Sequence, residues 1–152
     1  MNSQVTVIHR MVAAANDGDL PGLICRMPSG WALMGEIQVL TGYCLLLPDP
    51  VVAQLNDLED DDRAQYMADM AQLGDALLEV TNAVRINYAV FGNLEPALHA
   101  HVFPRFEDEP DDKRTGSPWS YDWNQAPAFD EAVHGPLRDM LRDHLTRSVG
   151  EE

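Results

Sequence analysis

The sequence contains little cysteine, little positive charge and no long apolar run. Its 152 residues include two cysteines and ten Lys and Arg, against 25 Asp and Glu, for a formal net charge of −15. Cys25 and Cys44 lie in apolar stretches without a CxxC spacing, so we expect buried thiols rather than a disulfide or a zinc site. No stretch approaches the roughly 20 apolar residues that a membrane-spanning helix requires.

The charge balance also argues against two classes of partner. Broad contact with nucleic-acid phosphates or with an anionic membrane surface requires a basic face, which a net charge of −15 does not favour. The beginning of the chain lacks a basic segment followed by a long apolar stretch, so no secretory signal is predicted. Apolar residues make up 45% of the chain and charged residues 23%, which is typical of a globular protein. We therefore expect one cytoplasmic domain over residues 1–152.

Apolar residues at steps of three and four predict three helices. The first covers residues 5–15, the second residues 56–82 and the third residues 129–145. Asn56 is the expected N-cap of the long second helix. Acidic residues crowd its first turns, where the helix dipole favours negative charge. They are Asp57, Glu59, Asp60, Asp61 and Asp62.

Short apolar runs divided by Gly and Pro predict antiparallel strands, because the connections between them are too short for crossover helices. The run at 43–47 is apolar at every position and is expected to be a central strand, buried on both faces. Together these patterns predict an α+β domain with about five antiparallel strands, one long central helix, and helices at both ends. The predicted strands are 23–27, 31–34, 37–40, 43–47, 84–90 and 98–106.

The last of these strands carries a pair of histidines. Its residues alternate with period two, which puts His99, His101 and Arg105 on one face. The two imidazoles leave that face about 7 Å apart at the backbone. Such a pair can ligate a metal, hold a phosphate, or divide nucleophile and acid roles, and the spacing alone leaves these alternatives open.

The segment 92–105 resembles the signature of the histidine triad family of nucleotide hydrolases and transferases. That signature has three histidines alternating with apolar residues, then two apolar residues, commonly followed by Pro-Arg. His99 and His101 match the second and third histidines, and 102–105 (Val-Phe-Pro-Arg) matches the end of the signature. Ala97 stands where the first histidine belongs.

The resemblance extends upstream and covers residues 22–106 in all. Residues 31–48 resemble the family's two strands that floor the nucleotide pocket, including a Gly-His-apolar-Pro element in which Tyr43 replaces the usual histidine. Gly35 stands where an Asp or Asn often holds the ribose, with Glu36 beside it as a substitute. Leu94 stands where many members carry a phosphate-binding Ser or Thr. The resemblance implies a fold like that of the family and a two-fold homodimer.

The resemblance also implies a reaction. The middle histidine of the family attacks the α-phosphate of a nucleotide and becomes transiently nucleotidylated, which assigns His99 as the nucleophile and His101 as a partner of the phosphate or leaving group. Asn93 corresponds to a family position that contacts phosphate. The resemblance implies a small-molecule nucleotide substrate, either a dinucleoside polyphosphate or a nucleoside phosphoramidate, with no cofactor and no metal. The remaining residues expected around the substrate are Leu33, Met34, Glu36 and Ala97.

Two other functions remain open. One is a non-catalytic nucleotide-binding module on the same fold, since fold alone does not determine function. The other is a metal-dependent enzyme in which His99-x-His101 binds the metal together with Glu107. The aromatic segment 119–123 has two interpretations as well: it caps the pocket and stacks on a base, or it packs over the sheet.

Overall fold

A computed structural model describes residues 5–150 of the chain, with side chains as far as residue 147. It contains a five-stranded antiparallel sheet in the order β1-β2-β3-β5-β4, which confirms the predicted α+β class. The helices are α1 (Val7–Asn16), α2 (Asp60–Val80), α3 (Asp111–Arg114) and α4 (Glu131–Gly150), and the strands are β1 (Leu23–Met27), β2 (Gly30–Met34), β3 (Cys44–Pro48), β4 (Arg85–Ala89) and β5 (Ala100–Arg105).

The strand β3 lies at the centre of the sheet, as its apolar sequence predicts. All five of its residues are buried. It pairs with β2 on one side and with β5 on the other, where Cys44 lies opposite Val102 and Leu45 opposite His101. Both cysteines are free, Cys44 buried and Cys25 half-buried.

Apolar side chains cover both faces of the sheet. On one face α2 and α4 pack against residues such as Ala100 and Val102 of β5. On the other face Phe103 belongs to a cluster with Ile8 and Val12 of α1. The period-two alternation predicted for β5 is therefore confirmed, and the two histidines share the second face with Phe103.

The predicted strand at 37–40 was wrong. Ile37 makes only an isolated bridge to Ala128. The buried side chain of Gln38 donates to the carbonyls of Gly35 and Tyr43 and accepts from the Gly42 amide, at 2.8 to 2.9 Å. These bonds close 35–43 into a loop, because the side-chain amide takes the backbone groups that a strand would have paired.

The long helix also begins later in the chain than predicted. Asn56 is not an N-cap, because residues 55–57 form a separate 3₁₀ turn and α2 begins at Asp60, after Glu59. The predicted acidic first turn is confirmed in Asp60, Asp61 and Asp62. Within the described residues, no helix combines the length and apolar content needed to cross a membrane.

Candidate functional site

His99 lies just before β5, and its ring is hydrogen-bonded to the backbone two residues earlier. Its Nδ1 is 2.7 Å from the carbonyl oxygen of Ala97. A carbonyl can only accept a hydrogen bond, so Nδ1 is the donor, and in the neutral ring Nε2 keeps its lone pair. No described residue is hydrogen-bonded to Nε2. This is the protonation pattern that a nucleophilic imidazole requires.

The loop before His99 is held at several points. Gly92 has a φ of +85°, a conformation that residues with a side chain rarely adopt. The Leu98 amide donates to the Val52 carbonyl at 2.8 Å, and the Glu95 carboxylate accepts from the amide of Val7, the first residue of α1. The carbonyl of Ala97 is therefore presented to His99 by an anchored backbone.

His101 lies on β5, beside His99, with ring centroids 5.0 Å apart. Its Nδ1 is 2.7 Å from the hydroxyl oxygen of Tyr43, which immediately precedes β3. Burial, together with the neighbouring His99, lowers the pKa of His101 to about 4. The His101 ring is therefore neutral at pH 7.

The two histidines line a cavity of about 910 Å³. Its wall includes Asn93 on the loop, Asn87 on β4 and Trp119 on the segment that follows α3. Histidines aside, Glu95 is the single charged side chain among the lining residues, and no Lys or Arg is among them. The other lining residues are Ile86, Tyr88, Ala89, Phe91, Gly92, Leu94, Phe103, Ser117 and Pro118.

Aromatic side chains form one side of this cavity. Trp119 meets His101, Phe103 and Phe91 edge to face, each with ring centroids 5.2 Å apart. Behind it, Trp123 stacks on Trp119 at 5.8 Å and meets Tyr43 edge-on. Trp119 thus lines the cavity and Trp123 packs over the sheet, while stacking of the segment on a base stays a prediction.

The segment that carries Trp119 is attached to the sheet through Arg105. The guanidinium of Arg105 forms a buried ion pair with Glu109, at 3.0 Å, and donates to the carbonyls of Lys113 and Gly116. Arg105 does not line the cavity, although it lies on the histidine face of β5. Burial raises the pKa of Glu109, but hydrogen bonds from Arg105, Tyr121 and the Phe106 amide outweigh that effect, so the net pKa lies below its usual value.

Three of the seven predicted site residues, Asn93, His99 and His101, line the cavity together. The other four lie elsewhere. Leu33 and Met34 are buried on opposite faces of the sheet, Leu33 in the cluster that contains α1. Ala97 is fully buried and Glu36 is exposed. Leu33 packs in the cluster that contains α1, whereas Met34 packs with residues of α2 and α4 on the opposite face.

Several cavity residues were not predicted from the sequence. Asn87 and Ala89 join the histidines because β4 pairs with β5 in a register that sets Asn87 opposite Phe103 and Ala89 opposite His101. No local pattern in the sequence predicts the register between β4 and β5. Among the described residues, no group of three or more His, Cys, Asp or Glu side chains is arranged to hold a metal ion.

The sequence and the fold are similar to those of known proteins. The sequence profile of the HIT domain matches residues 34–108. A histidine triad protein from Bradyrhizobium japonicum is 26% identical in sequence, with a TM-score of 0.71. The match covers 80% of this chain and 88% of that protein.

Two more distant structures share the fold. A histidine triad protein from Marinobacter aquaeolei is 17% identical, with a TM-score of 0.73 over 91% of this chain and 95% of its own. A hypothetical histidine triad nucleotide-binding protein from Sulfolobus tokodaii is 14% identical, with a TM-score of 0.70 over 90% and 92%. A search of curated proteins found no match. The matched region contains Tyr43, His99 and His101, and the chain resembles histidine triad proteins in both its sequence profile and its fold.

Proposed function

We propose that the protein is a nucleotide hydrolase or nucleotidyl transferase that reacts at the α-phosphate through Nε2 of His99. The observation that carries this proposal is the hydrogen bond from His99 Nδ1 to the Ala97 carbonyl, which in the neutral ring keeps the lone pair on Nε2, in a cavity shared with His101. The family supports a nucleotide substrate, as does the description of the Sulfolobus tokodaii relative as nucleotide-binding.

The reaction then has two steps. In the first, the lone pair of His99 Nε2 forms a bond to phosphorus, and the leaving group departs with the electrons of its own bond and takes up a proton from water. In the second, water attacks the phosphorus and the N–P bond breaks, which returns the lone pair to Nε2. The proton that the attacking water loses neutralises the hydroxide left by the first step. Throughout, the Ala97 carbonyl accepts the Nδ1–H bond and stabilises the positive charge that the imidazole acquires.

The charge of the cavity favours one of the two expected substrate classes. A dinucleoside polyphosphate carries several negative charges, and the cavity offers Glu95 but no Arg or Lys to meet them. A nucleoside phosphoramidate carries one negative charge at the reacting phosphorus. Neutral donors such as the side-chain amide of Asn93 suit that smaller charge, so we propose the phosphoramidate class.

The test compares adenosine 5′-phosphoramidates with diadenosine tetraphosphate as substrates of the wild-type protein and of His99→Ala. We expect faster turnover of the phosphoramidate, and loss of turnover in His99→Ala. Asn93→Ala should lower the rate on the order of 10²-fold, as for one transition-state hydrogen bond. His144→Ala on α4 is the matched control and should retain the wild-type rate. Equal turnover by wild type and His99→Ala would refute the mechanism.

A non-catalytic nucleotide-binding module is the second candidate. Two positions favour it: Ala97 is fully buried and offers no polar side chain, and Leu94, where many relatives carry a hydroxyl, is 93% exposed. Calorimetry measures nucleotide binding, and the activity assay measures turnover. Binding of a nucleotide without turnover of any substrate would support the non-catalytic module. The metal-dependent alternative predicts that strong chelation abolishes activity, and the histidine mechanism predicts that activity survives.

We further propose that residues 1–152 act as one domain in the cytoplasm and assemble as a homodimer. The strand β4 is an edge of the sheet, and exposed apolar side chains lie on it at Tyr88 and directly beyond its two ends at Val84 and Val90. Light scattering should give twice the chain mass of 16.9 kDa. Val84→Glu should give the mass of one chain, and a wild-type monomer at micromolar concentration would contradict the dimer.

A further inference from the structure

We propose that Tyr43 is a positioning residue that fixes His101 as a neutral hydrogen-bond donor, with the His101 proton on Nε2, for the reacting phosphoryl group. The inference rests on the proposed function for the identity of the ligand. The tautomer itself follows from the contact between Tyr43 and His101 and can be measured without any substrate.

The direction of the hydrogen bond follows from its surroundings. The hydroxyl oxygen of Tyr43 lies 2.7 Å from Nδ1 of His101, and no other described residue is bonded to that hydroxyl. Tyr43 is 4% exposed, so a hydroxyl proton without an acceptor would be buried unpaired, at a cost of about 1–3 kcal/mol. The hydroxyl therefore donates to Nδ1. The single proton of the neutral imidazole is then on Nε2.

The phenol ring is held where this bond requires it. It stacks on Phe103, with centroids 4.4 Å apart and planes 9° apart, and meets Trp123 edge-on at 5.5 Å. Its backbone carbonyl accepts from the side chain of Gln38. A Cβ atom built at Gly35 would lie 2.4 Å from two carbons of the ring. Gly35 and Tyr43 thus form a complementary pair, in which the ring fills the space that a side chain at position 35 would need.

A donor at this position suits the chemistry of the cavity. His101 lines the cavity beside His99, and no Lys or Arg lines it to balance charge that develops on phosphoryl oxygens. A neutral N–H that is already oriented stabilises such charge without reorganisation during the reaction. The His101 proton stays on Nε2 throughout, so the two-step reaction keeps the proton balance given above.

Tyr66 provides a matched control on the opposite face of the sheet. It is also a buried tyrosine, and its hydroxyl donates to the Leu46 carbonyl at 2.7 Å. Tyr66→Phe therefore removes one buried hydroxyl hydrogen bond, as Tyr43→Phe does, but leaves His101 untouched.

The first measurement is the tautomer of His101, from two-bond ¹⁵N–¹H NMR correlations at pH 7. The wild type and Tyr66→Phe should show the proton of His101 on Nε2. Tyr43→Phe should show a mixture of the two tautomers, since nothing then holds the proton away from Nδ1. A wild-type His101 with its proton on Nδ1 would overturn the proposal, as would an unchanged tautomer in Tyr43→Phe.

The second measurement is a double-mutant cycle on kcat/KM for an adenosine 5′-phosphoramidate. We expect Tyr43→Phe to lower kcat/KM roughly 10-fold, which is less than the loss of a whole transition-state donor. In a His101→Ala background, Tyr43→Phe should have no further effect, because Tyr43 acts through His101. An equal loss in both backgrounds would mean a merely structural role and would overturn the proposal. If the wild type turns over no nucleotide, the proposed function fails, and the same cycle is run on the Kd of AMP.

Discussion

The buried ion pair of Arg105 and Glu109 is expected to be a main support of both the fold and the cavity wall. The side chains of Arg105 and Glu109 are 7% and 4% exposed. Besides Glu109, the guanidinium donates to the side-chain oxygen of Asn87 at 2.7 Å and to the carbonyls of Gly116 and Lys113 at 2.8 and 2.9 Å. One side chain thus connects β4, β5 and the segment that leads to Trp119.

The variant Arg105→Met keeps an apolar stem of similar length but removes the charge and every one of these donors. The Glu109 carboxylate then stays buried with only the Phe106 amide and the Tyr121 hydroxyl as donors. Breaking a buried pair in this way typically costs about 3–5 kcal/mol. That is a large part of a total unfolding free energy that is usually about 5–15 kcal/mol.

The double variant Arg105→Met/Glu109→Met separates the cost of an unpaired charge from the loss of the contacts. Because it removes the buried carboxylate as well, we expect it to be more stable than Arg105→Met alone. Urea unfolding followed by circular dichroism and by tryptophan fluorescence measures both free energies. A loss below about 1 kcal/mol in Arg105→Met, or additive losses in the double variant, would refute this reasoning.

Four further predictions concern Glu109, Gly35, Ala97 and Trp119. The lowered pKa of Glu109 stabilises the fold above the unfolded-state value of about 4.3, so the stability difference between wild type and Glu109→Gln should vanish as the pH falls through the folded pKa. Gly35→Ala should displace the Tyr43 ring and change the tautomer of His101, as read by NMR, and an unchanged spectrum would exclude this packing. Ala97→His, which restores the family's first histidine at a fully buried position, should lower the unfolding free energy by about 1–3 kcal/mol rather than raise activity. Trp119→Ala should raise KM for an adenosine 5′-phosphoramidate, whereas an unchanged KM would show that Trp119 does not contact the substrate.

Where the sequence failed, a contact between distant segments or a side chain overrode the local pattern. Residues 37–40 have the composition of a strand, but the side chain of Gln38 takes up backbone groups on both sides of it. Asn56 has the chemistry of an N-cap, yet the chain makes a separate turn there before α2 begins at Asp60.

The sequence by itself determined the fold class, the central position of β3, and the pairing of His99 with His101 on one face. Each of these depends on a period or a residue type within a few neighbouring positions, which backbone geometry converts directly into structure. Only the tertiary structure decided which nitrogen of each histidine carries its proton, since this depends on the Ala97 carbonyl and on Tyr43, 58 residues from His101. The tertiary structure also decided which residues line the cavity, because strand register and the contacts of the buried Arg105 bring distant segments together.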